Sequence, residues 1–140
     1  MGFPINVRYS PSSAMVVCSG CRPRPNYLGG EIVNEGKPID NFFNENALAE
    51  PQLGDADAPF GNLGRNSARM RDFWQADLGV YKSFPLPREG SEIEFRSEFF
   101  NLFNRSNFLA PNDNFSSGGF GQITRTFPAR QIQFALKLYW

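Results

Sequence analysis

Histidine is absent from this 140-residue chain. With it go the usual general base, the usual zinc ligand and the Ser-His and Cys-His nucleophile pairs. Cysteine is scarce: Cys18 and Cys21 are the only two, too few to complete a tetrahedral zinc site unaided. No apolar run reaches the roughly 18 residues a membrane helix needs. Excess charge is missing as well, because 14 Lys and Arg against 14 Asp and Glu leave a net charge of zero. No overall basic field therefore draws in nucleic acid or anionic lipid. The opening Met-Gly-Phe-Pro-Ile-Asn-Val has no basic segment followed by an apolar core, so no signal peptide is read there. The chain is then either cytoplasmic or the tail of a longer precursor. What remains assembles no catalytic, cofactor-binding or metal-ligating set, and the protein is expected not to be an enzyme.

What is present is aromatic side chains and turn formers: 15 Phe, 13 Gly and 11 Pro. The clearest pattern is the final Arg130–Trp140 stretch. Ile132, Phe134, Leu136, Leu138 and Trp140 share one parity, and Gln131, Gln133, Ala135, Lys137 and Tyr139 the other, the period of a strand with one apolar face. Eleven residues at about 3.3 Å each, tilted by roughly 45°, span about 26 Å, close to the apolar band of an outer-membrane barrel. A soluble sandwich strand also alternates but is usually shorter.

Three further stretches alternate. Residues 2–9 place Phe3, Ile5, Val7 and Tyr9 against Pro4, Asn6 and Arg8; residues 71–84 set Trp74, Ala76, Leu78 and Val80 against Gln75, Asp77, Gly79 and Tyr81. Residues 92–104 put Ile93, Phe95, Ser97 and Phe99 outward and Glu92, Glu94, Arg96 and Glu98 inward, towards the lumen. Lys82 falls on the apolar parity and is expected at the periplasmic rim, its stem snorkelling. The run Phe99–Asn104 is apolar on both parities, which an aromatic girdle or a bulge explains equally. Residues 10–70 and 105–129 read as long loops rich in Pro, Gly, Asn and Asp, and residues 86–90 as a short turn. The expected fold is all-β: antiparallel strands from the C-terminal end of a transmembrane β-barrel, with long extracellular loops. Four strands leave two open edges that lipid cannot satisfy, so they do not span a membrane alone.

Several local features carry competing readings. Cys18 and Cys21 read first as a small local disulfide, next as free thiols, and last as a metal or redox pair. The row Glu92, Glu94, Arg96 and Glu98 is either part of a substrate path or an ordinary ladder of lumen-face charges, the second being preferred. Gly61, Gly64 and Gly79 read as turn and close-packing glycines rather than a phosphate loop. Asp55 and Asp57 lie in loop sequence without calcium-loop spacing. Trp74 and Trp140 read as interface anchors ahead of sugar-stacking platforms.

Taken together, three blocks resemble one family: Pro59–Ser67, Glu94–Phe108, and Phe120–Thr124 with Pro128–Trp140. They are similar to the extreme C-terminus of TonB-dependent outer-membrane receptors carrying an N-terminal carboxypeptidase-regulatory-like domain (Oar-like). The resemblance covers nearly the whole chain. It implies a barrel closed by further strands, a plug within it, outer-membrane lipid around it, and a role in nutrient uptake or surface binding. TonB would be contacted only through the missing N-terminal part. It also implies that Ile132, Phe134, Leu136, Leu138 and Trp140 form the signal read by the barrel-assembly machinery. Two rivals remain: a self-associating barrel with four strands per chain, and a soluble extracellular β-rich binding or adhesive module.

Overall fold

Alternation of large apolar with polar side chains makes an extended chain two-faced, and three such stretches pair in the computed structural model of the chain. They are β5 (Leu78–Pro85), β6 (Glu92–Phe100) and β7 (Gln131–Tyr139), joined as one antiparallel sheet in the order β5-β6-β7. Four two-residue strands precede them: β1 (Pro4–Ile5) pairs with β4 (Ala68–Arg69), and β2 (Asn26–Tyr27) with β3 (Leu48–Ala49). The structure describes residues 2–10, 22–52, 54–55 and 60–140. Cys18 and Cys21 lie outside them, as does Asp57. Among the described residues every ladder between strands is antiparallel, an isolated bridge between Arg8 and Asn114 being parallel, and there is no α-helix, only a 3₁₀ turn at Glu45–Ala47.

The chain divides into two compact units, Met1–Asp72 with Phe108–Arg125, and Phe73–Asn107 with Thr126–Trp140. The second unit is the three-stranded sheet. Its strands are 8, 9 and 9 residues long; nine residues at about 3.3 Å, tilted by roughly 45°, cover about 21 Å of a bilayer. The β5–β6 connection is tight: Leu86 N–H donates to Ser91 O at 2.9 Å, Ser91 N–H to Arg88 O at 3.0 Å, and Gly90 takes a φ of +76°. A side chain rarely adopts that φ, which is why glycine stands there.

The apolar run at Phe99–Asn104 is neither a girdle strand nor a bulge. The ladder stops at Phe100 because Asn101 and Asn104 turn the chain with φ of +53° and +51°, a conformation asparagine tolerates better than most residues. Asn101 then caps its own turn. Its Oδ1 accepts from Arg105 N–H at 3.0 Å and its Nδ2 donates to Arg105 O at 2.9 Å. At the turn the regular ladder gives way to single bonds, Leu102 N–H to Ala76 O at 2.8 Å and Asn101 N–H to Asp77 Oδ1 at 2.8 Å, and β5 begins at Leu78 rather than at 71. Trp74 sits ahead of the strand, held where its N–H donates to Asn107 Oδ1 at 3.1 Å and its carbonyl accepts from Asn107 Nδ2 at 2.8 Å.

The first unit is not a bare loop. Ile5, Val7, Phe42, Phe43, Leu48, Leu63, Ala68, Phe120 and Ile123 form its buried core. Residues 2–9 keep their alternation, with Ile5, Val7 and Tyr9 buried and Phe3 exposed, but only Pro4 and Ile5 join a ladder. They are no membrane-length strand, since the β4 segment facing them is itself two residues long. Regular ladders are sparse because asparagine side chains satisfy the backbone instead. Asn34 Nδ2 donates to Asn41 O and Phe43 O, and Asn44 Nδ2 to Glu31 O. Phe42 N–H donates to Gly121 O at 3.0 Å and Ile123 N–H to Ile39 O at 2.8 Å, which draws residues 120–123 against the Phe42-Phe43 pair.

Candidate functional site

The register of the sheet sorts its side chains into transverse rows. On one face lie Leu78–Phe99–Ile132, Val80–Ser97–Phe134, Lys82–Phe95–Leu136 and Phe84–Ile93–Leu138. On the other lie Gly79–Glu98–Gln133, Tyr81–Arg96–Ala135, Ser83–Glu94–Lys137 and Pro85–Glu92–Tyr139. The first face is apolar except for Lys82 and Ser97, and it is bare: Phe134 is 67% and Leu136 73% exposed. An apolar face this extensive is stable only against lipid or another apolar surface.

The exceptions are accommodated. Ser97, buried at 5% exposure, is small and is overlaid by its neighbours. Lys82 is not at the outermost row but one row in, and its Nζ lies 5.9 Å from the ring of Phe84, two residues nearer the turn. The stem stays on the apolar face while the charge reaches towards the strand end.

The opposite face carries Glu92, Glu94, Arg96 and Glu98 together, as β6 has every second residue on one side. Glu98 ties all three strands: Oε1 accepts from the Tyr81 hydroxyl of β5 at 2.9 Å, and Oε2 accepts from Gln133 Nε2 of β7. Arg96 pairs with Glu94 along the strand and stacks over the Tyr81 ring at 5.2 Å. Tyr81 and Gln133 were not evident from sequence, because their role depends on the cross-strand register. The local signal was Gly79 followed two residues later by Tyr81. A Cβ on Gly79 would come within 2.8 Å of the Tyr81 ring, so the ring lies across the bare glycine backbone, the arrangement that lets an aromatic cover a strand glycine. Gly79→Ala is expected to swing the exposed Tyr81 ring off Glu98 and lower stability by about 0.5–1 kcal/mol, the loss of one hydrogen bond. A fall in the urea midpoint of the folded protein would show it, and an unchanged midpoint would refute it.

Other positions resolve less dramatically. Gly61 has a φ of +63° and its Cβ would sit 2.1 Å from Arg24 O, a turn and a close approach at once; Gly64 has open space around it and is not a packing glycine. Asp55 Oδ2 accepts from Asn26 Nδ2 at 2.8 Å and from Gln52 N–H at 2.7 Å, which makes it a loop brace. Trp74 lies 5.4 Å from the Phe103 ring and 5.9 Å from the Arg105 guanidinium, and Trp140 is 84% exposed beyond the last ladder pair. Among the described residues no group of three or more Cys, Asp or Glu side chains is placed to hold a metal.

Among the described residues β5 and β7 are each hydrogen-bonded on one side only. A membrane-length sheet with one lipid-compatible face, one charged face and two unpaired edges is a portion of the wall of a transmembrane β-barrel. The family model of the outer membrane beta barrel domain matches residues 1–133. The chain belongs to that family, and its location is the bacterial outer membrane. No curated protein and no solved structure gives a significant match.

Proposed function

We infer that the chain supplies the last strands of the barrel of a TonB-dependent outer-membrane receptor of the Oar-like type, serving nutrient uptake or surface binding and performing no catalysis. The observation that carries this reading is the two-faced β5-β6-β7 sheet, both of whose edges are unpaired among the described residues. Unpaired amides in hydrocarbon cost several kcal/mol each, so further strands must cover those edges. The resemblance of the blocks at 59–67, 94–108 and 120–124 with 128–140 to receptors supports what the rest would be: more barrel, a plug, and a TonB contact made elsewhere in the protein. The face bearing Glu92, Glu94, Arg96 and Glu98 then lines the lumen and meets the plug. The file Ile132, Phe134, Leu136, Leu138 and Trp140 then faces lipid and is read by the barrel-assembly machinery.

The test is an immunoblot of fractionated native cells. A band several times heavier than the 15.8 kDa of this chain, in the outer membrane and faster-migrating when unboiled, is the expected result. A heat-labile ladder built of 15.8 kDa protomers would replace the receptor by a self-associating barrel, and a detergent-free monomer by a soluble binding module. In the full-length protein, Trp140→Ser is expected to lower the outer-membrane level several-fold at unchanged synthesis. An unaltered level would remove Trp140 from the assembly signal.

A further inference from the structure

We propose that the unit formed by Met1–Asp72 and Phe108–Arg125 holds a binding site for a small anion bearing two or more phosphate charges. Within this unit a cavity of about 710 Å³ is bordered by Arg8, Arg22, Arg24 and Arg65 and, among the described residues, by one carboxylate, Asp113. Four guanidiniums less one carboxylate leave an excess of three positive charges. The volume falls in the range of about 300–1,000 Å³ typical of small-molecule sites. The zero net charge of the chain conceals this concentration, since charge balance over a whole sequence says nothing about one cavity wall.

Among the described residues one carboxylate faces the four arginines. Asp113 engages Arg8, with Oδ1 accepting from Nη2 at 2.6 Å and from Nε at 3.0 Å. Among the described residues Arg22, Arg24 and Arg65 have no carboxylate partner. Guanidinium is a permanent cation near neutrality, so the three make the cavity wall positive and favour an anion there. Their planar forks match phosphate oxygens in pairs, which a single ammonium does not.

The segments that carry them are pinned before any ligand arrives. Tyr9 N–H donates to Pro23 O at 2.9 Å, Arg24 N–H to Phe60 O at 2.9 Å, Leu63 N–H to Pro25 O at 3.2 Å, and Arg8 N–H to Asp113 O at 2.7 Å. In Arg22-Pro23-Arg24-Pro25 both prolines are buried while Arg22 is exposed and Arg24 half-buried, the two-sidedness of an extended chain. Gly61 lets the 60–63 segment lie against the Arg24 backbone, where any Cβ would strike Arg24 O. Ordering these four segments in advance reduces what the ligand must spend on conformational entropy.

A phosphate-bearing solute and the phosphorylated headgroup of an outer-leaflet lipid present the same chemistry, and the experiment separates them. The full-length protein, purified from outer membranes in detergent, is titrated calorimetrically with inorganic pyrophosphate, then with lipid A micelles. TonB and energy are absent, so the outcome is separate from the transport reading. Saturable, salt-sensitive binding is expected. Each of Arg22→Gln, Arg24→Gln and Arg65→Gln should weaken it about tenfold, the loss of one charged hydrogen-bonded contact, while Arg88→Gln, in the β5–β6 turn, leaves it unchanged. Asp113→Asn removes the competing carboxylate and should tighten binding, whereas a merely structural role for Asp113 would loosen it. Saturation by pyrophosphate identifies a solute site, and saturation by lipid A alone a headgroup site. Absence of binding to both, indifference to all three arginine substitutions, or weaker binding in Asp113→Asn would overturn the proposal.

Discussion

Phe134→Arg is expected to cost the folded protein about 2–4 kcal/mol, and Leu138→Arg only about 0–1 kcal/mol, because the penalty for a cation on the lipid face depends on depth. Phe134 stands mid-strand in β7, opposite Ser97, with its ring stacked on Phe95 at 6.1 Å and 19°. Leu138 pairs with Ile93, one residue short of the end of the ladder, where an arginine reaches the headgroups. Gln133→Arg supplies the control on the opposite face. It lies one residue from Phe134 and beside Glu98, where a guanidinium gains a carboxylate, so its effect should stay within about 0.5 kcal/mol, the usual range for an exposed substitution. Unfolding midpoints in vesicles, read as the folded fraction on unboiled gels, measure all three. Equal penalties at 134 and 138 would mean that the face packs against protein throughout rather than against lipid.

That contrast rests on the part of the fold that was legible in sequence. β7 was expected at 130–140 and is Gln131–Tyr139; β6 was expected from Glu92 and starts there. Period-2 patterning is readable when one face meets hydrocarbon, since every second residue must then be large and apolar over the whole span. The pattern fails at strand ends. Phe99-Phe100 and Phe103 suggested continuation to 104, but the left-handed φ of Asn101 and Asn104 ended the strand. Asparagine is compatible with strand, turn and cap alike, so its identity alone did not decide.

The Met1–Asp72 unit was not legible as a packed body, for a physical reason. Apart from Ile5 and Val7 in the alternating 2–9 stretch, its core residues are single apolar side chains, Leu48, Leu63, Ala68, Phe120 and Ile123, or the adjacent pair Phe42-Phe43, set among Pro, Gly and Asn without a period. Periodicity detects regular elements, and here asparagine side chains and turns replace the ladders. The arginine cavity was hidden likewise: Arg8 and Arg65 lie 57 positions apart in sequence, and the bonds from Tyr9 to Pro23, from Arg24 to Phe60, from Leu63 to Pro25 and from Asn66 to Asn6 bring the four arginines to one wall. The lumen-side row was visible as alternating charge in β6. Its tie to Tyr81 and Gln133 was not, because that depends on the register of two neighbouring strands.

Phe43→Ala tests whether this irregular unit is a cooperative core. Phe43 is completely buried, stacked on Phe120 at 4.9 Å and 13° and edge-on to Phe42 at 5.1 Å and 84°. Phe120 in turn meets Phe115 at 5.2 Å. Removing the Phe43 ring leaves Phe42 and Phe120 without their common neighbour, in a core that a 3₁₀ turn and two-residue strands cannot close by themselves. Phe→Ala in such a site costs about 3–5 kcal/mol. At about 1.4 kcal/mol per factor of ten, that accelerates hydrogen exchange of the unit's buried amides roughly a hundredfold to a few thousandfold. The Phe42 amide, which donates to Gly121 O, is the most direct reporter. Amides of β6, whose ladder partners all lie in β5 and β7, should keep their protection. Exchange at Phe42 rising less than tenfold would mean that the Asn and Gly backbone contacts hold the unit, with the aromatic cluster as filler. Loss of protection in β6 as well would mean that the two units unfold as one.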